Sequence, residues 1–152
     1  MVLCCIWWCC NIMRALTHTK LHTKTHVLKE DLDMTTGQRD IAIVGVAESD
    51  IMGTVPNKSS LQHHAEAGHN ALADAGLSKS DVDGLLTAGG STLVTAEYMG
   101  IQPTFTDSTT VGGSSFVIHV AHAMAAVRAG YCEVALITHG QAGRSALSLI
   151  HI

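Results

Sequence analysis

The sequence predicts an α/β domain: a mixed sheet, with some parallel pairs, covered by helices. Three observations carry that expectation. Short β-branched and apolar runs at 41–47, 85–88 and 132–138 read as buried strands. Segments with helical spacing, closed by Gly76 and Gly130, lie between them. Strands and helices alternate along the chain in the order β-α-β-(α)-β-α-β.

Ile41-Ala42-Ile43-Val44-Gly45-Val46-Ala47 is nearly continuous in apolar residues and short, as a strand covered on both faces should be. Glu48 to Lys58 is a loop containing Gly53 and Pro56. Ser59 or Ser60 caps the first helix, whose inward face is expected at Leu61, Ala65, Gly68 and Leu72. Ser78-Lys79-Ser80-Asp81 has the Ser-x-x-acid form of a variant capping box and predicts a short helical turn. Asp83-Gly84 turns the chain into a strand at Leu85-Leu86-Thr87-Ala88. Gly89 to Thr95 reads as flexible in composition, and a short helix ends around Glu97 to Pro103. Thr104 to Val111 is Thr-dense and β-rich.

Val111-Gly112-Gly113-Ser114-Ser115 then opens a long helix to Gly130, and Cys132 to Thr138 is the last strand. Backbone N–H groups at such an elbow face outward at a helix N-terminus, where the dipole favours an anion or oxyanion. Gly112 and Gly113 carry no side chain to keep a substrate away. Enzymes with a nucleophile on an elbow place Cys or Ser at its tip; here the tip is glycine.

The net charge of −4 leaves no basic footprint for nucleic acid. No apolar run reaches the roughly 18 residues of a membrane span, so none is expected; the expected location is cytoplasmic. Composition is uneven. Residues 1–33 hold four of the five cysteines, both tryptophans and no glycine. Cys4-Cys5 and Cys9-Cys10 are adjacent pairs, a poor match to the spacing of zinc ligands. His18, His22 and His26 would share a helix face, but the Thr- and Lys-rich segment around them lacks an apolar stripe. Residues 1–33 are therefore read as a non-native or disordered leader, 34–146 as the domain, and 147–152 as a tail on a chain truncated at its C-terminus. No metal and no cofactor are expected.

From Arg39 to about Arg144 the chain resembles the N-terminal domain of the thiolase superfamily, nearest the thiolase-like lipid-transfer proteins. The resemblance rests on Ile41 to Ser49, on Ala71-Leu72-Ala73-Asp74-Ala75-Gly76-Leu77 with Asp81-Val82-Asp83, and on Val111 to Ser115 with Ala126 to Gly130 and Glu133 to Leu136. It implies the N-terminal half of a thiolase-like fold. It also implies acyltransferase-type chemistry on acyl-CoA thioesters in lipid metabolism, and a homo- or heterodimer with a thiolase-fold or associated subunit. Gly112 stands where thiolases carry the nucleophilic cysteine. Retro-aldol cleavage of β-hydroxyacyl-CoA, as in some lipid-transfer relatives, needs no acyl-enzyme and tolerates that glycine. The alternative is a non-catalytic acyl-CoA- or lipid-binding or scaffold subunit of a thiolase-fold complex.

The site expected on these grounds comprises Gly112, the nucleophile-equivalent position, then Gly113 and Ser114 at the elbow, with His119 and His139 as further catalytic candidates. Ser114 and Ser115 are expected to cap the helix. His119 and His122 lie at i, i+3 and either reach a pocket or bind a metal, or pack at a helix–helix or dimer contact. Asp107 to Thr110 orders the approach to the elbow. His63, His64 and His69 are expected at the surface, and Cys132 as a small buried hydrophobe.

Overall fold

The computed structural model describes residues 2–4, 41–51 and 53–143. Five strands form one sheet: β1 (Val2–Cys4), β2 (Ile43–Val46), β3 (Gly84–Thr87), β4 (Phe105–Asp107) and β5 (Ala135–Thr138). Their spatial order is β2-β1-β5-β3-β4. Three helices cover it: α1 (Ser60–Ala75), α2 (Thr92–Met99) and α3 (Ser115–Ala129), with a 3-10 turn at Lys79–Asp81. The α/β class is as expected, but the sheet is parallel in every pairing among the described strands rather than mixed. Each helical crossover returns the chain to the end of the sheet from which the previous strand began, and parallel pairing follows.

Alternation along the central strands creates two cores. Leu85 and Leu136 face one side with Ala67, Ala71 and Leu72 of α1. Leu86 and Ile137 face the other with Ala123, Ala126 and Val127 of α3. Successive residues of a strand point to opposite faces, and both cores follow from that period. Asp83 ties the amino ends of three strands together. Its carboxylate accepts from the Glu133 and Val134 N–H groups at 2.7–3.0 Å. Its carbonyl accepts from Thr104 and Phe105 N–H at 2.8 and 3.1 Å. Cys132 is buried against Gly84, and burial pushes its thiol pKa up, as suits a hydrophobe.

Helix α1 starts with a capping box: Ser59 Oγ accepts from Gln62 N–H, and the Gln62 side chain accepts from Ser59 N–H at 2.7 Å. Its buried face is His63, His64, Ala67, Gly68, Ala71 and Leu72, rotated from the expected stripe, so that Leu61 and Ala65 are half-buried. Small residues set that rotation. A Cβ at Gly68 would lie 2.8 Å from Met99 Cε of α2, and one at Gly45 of β2 would lie 2.4 Å from Ala71 O, so α1 approaches both α2 and the sheet too closely for larger side chains. Helix α2 begins at Thr92, with Ser91 Oγ accepting from Val94 N–H. The stretch expected to be flexible therefore includes a helical first turn, capped by the serine.

Val2–Cys4, inside the expected leader, form β1. These residues lie within the sheet, paired on one side with Ala135–Ile137 and on the other with β2. A short apolar run can enter a buried parallel slot without the alternation that marks an exposed strand. Residues 5–33, with Cys5, Cys9, Cys10, His18, His22 and His26, and the tail at 147–152 lie outside the described residues.

Two substitutions test this arrangement. Gly84→Ala places a Cβ 2.9 Å from Cys132 Sγ and 3.3 Å from Ala135 Cα; it should cost about 1–3 kcal/mol in denaturant unfolding. Leu3→Pro removes one backbone donor from a strand with neighbours on both sides. It should speed amide exchange at Ala135–Thr138 and leave β4 unaffected; unchanged exchange would show that β1 adds nothing.

Candidate functional site at the carboxyl edge of the sheet

Parallel strands put all their carboxyl ends on one edge. In open α/β sheets the crevice outside that edge is where ligands bind. Three segments meet there: Ala88-Gly89 after β3, Ser108 to Gly113 after β4, and His139-Gly140 after β5. The N-termini of α1, α2 and α3 start at the same edge, because each helix runs back against its strands.

The elbow is an open turn. Gly112 has φ +73°, and a Cβ built at Gly112 or Gly113 would meet nothing within 4 Å. A left-handed φ favours glycine, and the space in front of it is free. Ser114 precedes α3, is exposed, and makes no side-chain capping bond. The expected cap is therefore not at Ser114. Ser115, fully buried, donates its hydroxyl to Gly112 O at 2.7 Å and accepts from Val111 N–H at 3.0 Å. Its hydroxyl thus ties the turn together on its inner side, while Gly112, Gly113 and Ser114 are exposed.

The approach to the elbow is a hydrogen-bonded net. Asp107 Oδ1 accepts from Thr109 N–H at 2.9 Å and from its hydroxyl at 2.8 Å, and Oδ2 pairs with His122 Nδ1. Thr92 donates to Asp107 O at 3.1 Å, and its hydroxyl meets that of Thr87 at 2.6 Å. Burial pushes the Asp107 pKa up, but the bonds from His122 and Thr109 outweigh it and the carboxyl titrates below its ordinary range. His119 and His122 do not act together. His122 is exposed on Asp107, whereas His119 is fully buried and donates from Nε2 to Thr109 O at 2.9 Å. Burial lowers the His119 pKa, against the pull of Asp107.

His139 lies 7% exposed at the end of β5, its Nδ1 3.2 Å from Ala88 O. The Phe116 ring packs edge-on at 4.8 Å and His64 stands at 6.1 Å. Burial lowers the His139 pKa, the Ala88 carbonyl opposes it, and His119 adds to it. His63 and His64 are not surface residues: they are 1% and 3% exposed. They are inward because the small face of α1 is the one that fits the sheet. His64 Nδ1 meets Thr138 Oγ1 at 2.9 Å, and His63 Nδ1 meets Ser49 Oγ at 3.3 Å. His69 is exposed as expected. Nothing in the sequence distinguishes the two buried histidines, because apolar spacing places the stripe one residue away.

Among the described residues no group of three or more His, Cys, Asp or Glu is placed to hold a metal ion. No helix among them is long and apolar enough to cross a membrane. A depression of about 520 Å³ lies away from the crevice, between α1 and α2. Another, of about 450 Å³, runs along the open edge of β4 against α3 and reaches the elbow's approach at Asp107 and Thr109.

No protein-family model matches the chain. It is 40% identical over 97 residues to a 17-hydroxy-3-oxo-4-pregnene-20-carboxyl-CoA lyase of Mycobacterium tuberculosis, covering 61% of this chain and 25% of that protein. The structure superposes on an Ltp2-ChsH2(DUF35) aldolase with TM-score 0.61 and 33% identity, over 67% of this chain and 28% of that one. The fold is thiolase-like. A monomeric SCP2-thiolase like protein from Mycobacterium smegmatis matches with TM-score 0.52 and 25% identity, over 62% of this chain and 22% of that one. OleA of Xanthomonas campestris, at 15% identity and TM-score 0.55 over 61% of this chain and 30% of that one, shares the fold alone. The thiolase-like chain spans about a quarter of the length of the curated relative it matches.

The buried histidines make stability pH-dependent. Burial first, then His139 and His63, hold the His64 pKa down to about 4. An unfolded histidine titrates near 6.5. Between those values the unfolded chain takes up a proton that the folded chain refuses, so stability falls as pH drops from about 6.5 to about 4. The loss from His64 is on the order of 3 kcal/mol. The lowered pKa of Asp107 acts only at more acid pH, below its ordinary carboxylate range. Thermal melts across this window should show the loss, and His64→Asn should shrink it.

Proposed function

We propose that this chain is the elbow-bearing part of a thiolase-like protein of lipid or sterol side-chain metabolism. It would act on a β-hydroxyacyl-CoA by carbon–carbon cleavage rather than by acyl transfer. The observation that carries the reading is Gly112: the elbow tip is open, left-handed in φ and without a nucleophile. A thiolate cannot form there, so no acyl-enzyme can. Retro-aldol cleavage needs instead an oxyanion site for the thioester enolate and an acceptor for the hydroxyl proton. The exposed residues Gly113 and Ser114 at the start of α3, where the helix dipole favours negative charge, suit the first requirement. The lyase and aldolase names of the relatives support the same class of reaction.

The reading carries with it a cytoplasmic protein and a thiolase-fold or associated partner subunit, in keeping with the two components in the name of the aldolase neighbour. The missing nucleophile equally favours a non-catalytic subunit that binds acyl-CoA or lipid. Assay separates the two. With a β-hydroxyacyl-CoA, cleavage to a carbonyl compound and a shorter acyl-CoA is expected. Thiolysis of a 3-ketoacyl-CoA should be absent, as should any acyl adduct in intact-mass spectra. Gly113→Pro removes one N–H donor and should slow cleavage about a hundredfold or more. Thiolysis or an adduct on residues 41–143 would overturn the proposal; binding without cleavage would favour the non-catalytic subunit.

A further inference from the structure

Cleavage of a β-hydroxy thioester needs a proton acceptor, and two imidazoles stand near the elbow. Their hydrogen bonds separate them. A carbonyl oxygen only accepts, so the ring nitrogen that faces it carries the hydrogen. His119 turns Nε2 to Thr109 O. Its lone pair is therefore on Nδ1, which is sealed from solvent and has no partner among the described residues. His139 is the reverse. Its Nδ1 faces Ala88 O, so the lone pair is on Nε2, for which no partner is found among the described residues.

The His139 ring is held as a base should be. A backbone carbonyl fixes its tautomer, and the rings of Phe116, in the first turn of α3, and His64 stand edge-to-face with it. The loop after β3 passes against the ring without a side chain of its own at Gly89. A Cβ at Gly89 would come 3.7 Å from His139 Cε1, the atom between the two nitrogens, and glycine at φ +85° adds nothing further. Burial keeps the imidazole neutral at neutral pH, its lone pair available.

We infer that His139 is the proton acceptor of this crevice, its bare Nε2 taking the hydroxyl hydrogen of a β-hydroxyacyl thioester, while His119 only holds the approach to the elbow. The inference rests on the proposed function and supplies its missing base. The hydroxyl proton passes to Nε2 and the carbinol carbon becomes a carbonyl. The Cα–Cβ bond breaks, its electron pair enters the thioester as an enolate, and the enolate carbon takes a proton back from the imidazolium.

The test uses the 152-residue chain with ¹⁵N-labelled histidine, 3-hydroxyisovaleryl-CoA as the probe, and isovaleryl-CoA, which lacks the hydroxyl, as its control. In the free protein at neutral pH, His139 should show a protonated Nδ1 and an unprotonated Nε2. The hydroxy thioester should shift the Nε2 resonance and the control should not. It should also bind about tenfold more tightly than the control, the value of one hydrogen bond. His139→Phe, which keeps an aromatic ring against Phe116, should bind both thioesters equally. A protonated Nε2 in the wild type overturns the inference without any ligand. Binding of both thioesters without preference, or a preference that survives His139→Phe, overturns it while the proposed function stands. If neither thioester binds, the function falls first and the acceptor with it.

Discussion

Four consecutive parallel pairs, from Gly84 with Ala135 to Thr87 with Thr138, hold β3 against β5 at the centre of the sheet. Both strands are buried along their length, so neither can slip without moving Leu85, Leu86, Leu136 and Ile137 to the wrong cores. That register places Ala88 beside His139, and the bond between them sets which imidazole nitrogen is bare. Asp83 secures the same register from the opposite edge, binding the chain just before β5 through its carboxylate and the start of β4 through its carbonyl. The chemistry at one edge is thus positioned by hydrogen bonds at the other.

Beyond this frame the elbow is an exposed turn of small residues whose helix lacks a serine cap at Ser114. A serine cap in the usual manner would consume N–H donors of the first helical turn. Ser114 makes no such bond, and the Ser115 hydroxyl is spent on Val111 and Gly112, on the inner side of the turn. The dipole of a fifteen-residue helix then favours negative charge at the elbow, as the proposed enolate would require. The glycine tip and the displaced cap work in the same direction: they replace a reacting side chain with an exposed, preorganised patch of backbone.

Much of this was legible in the sequence. The apolar runs at 41–47 and 85–88, the glycine stops at 76 and 130, and the glycine pair at 112–113 located β2, β3, the ends of α1 and α3, and the elbow. Other features had no local signature. Leu61 and Ala65 have the right spacing to face inward, yet His63 and His64 do so, because Ala67, Gly68 and Ala71 let the helix sit closer to the sheet. Thr92 looked like loop because its cap, Ser91, follows two glycines. The separation of His119 from His122 depends on where Thr109 O and the Asp107 carboxylate lie, which is a tertiary fact. So does the tautomer of His139, set by a carbonyl fifty-one residues earlier.

The place of Val2–Cys4 between β2 and β5 has a kinetic side. The ladder from Val2 to Ala135 joins residues about 130 positions apart, so loop-closure entropy must be met before any of its bonds form. On the ribosome, at roughly 5–20 residues per second, β1 waits on the order of ten seconds for its inner partner to be made. During that interval an apolar strand has no completed slot to occupy. The pairing of β1 with β5 is therefore late in synthesis and lies at the middle of the sheet rather than at its edge.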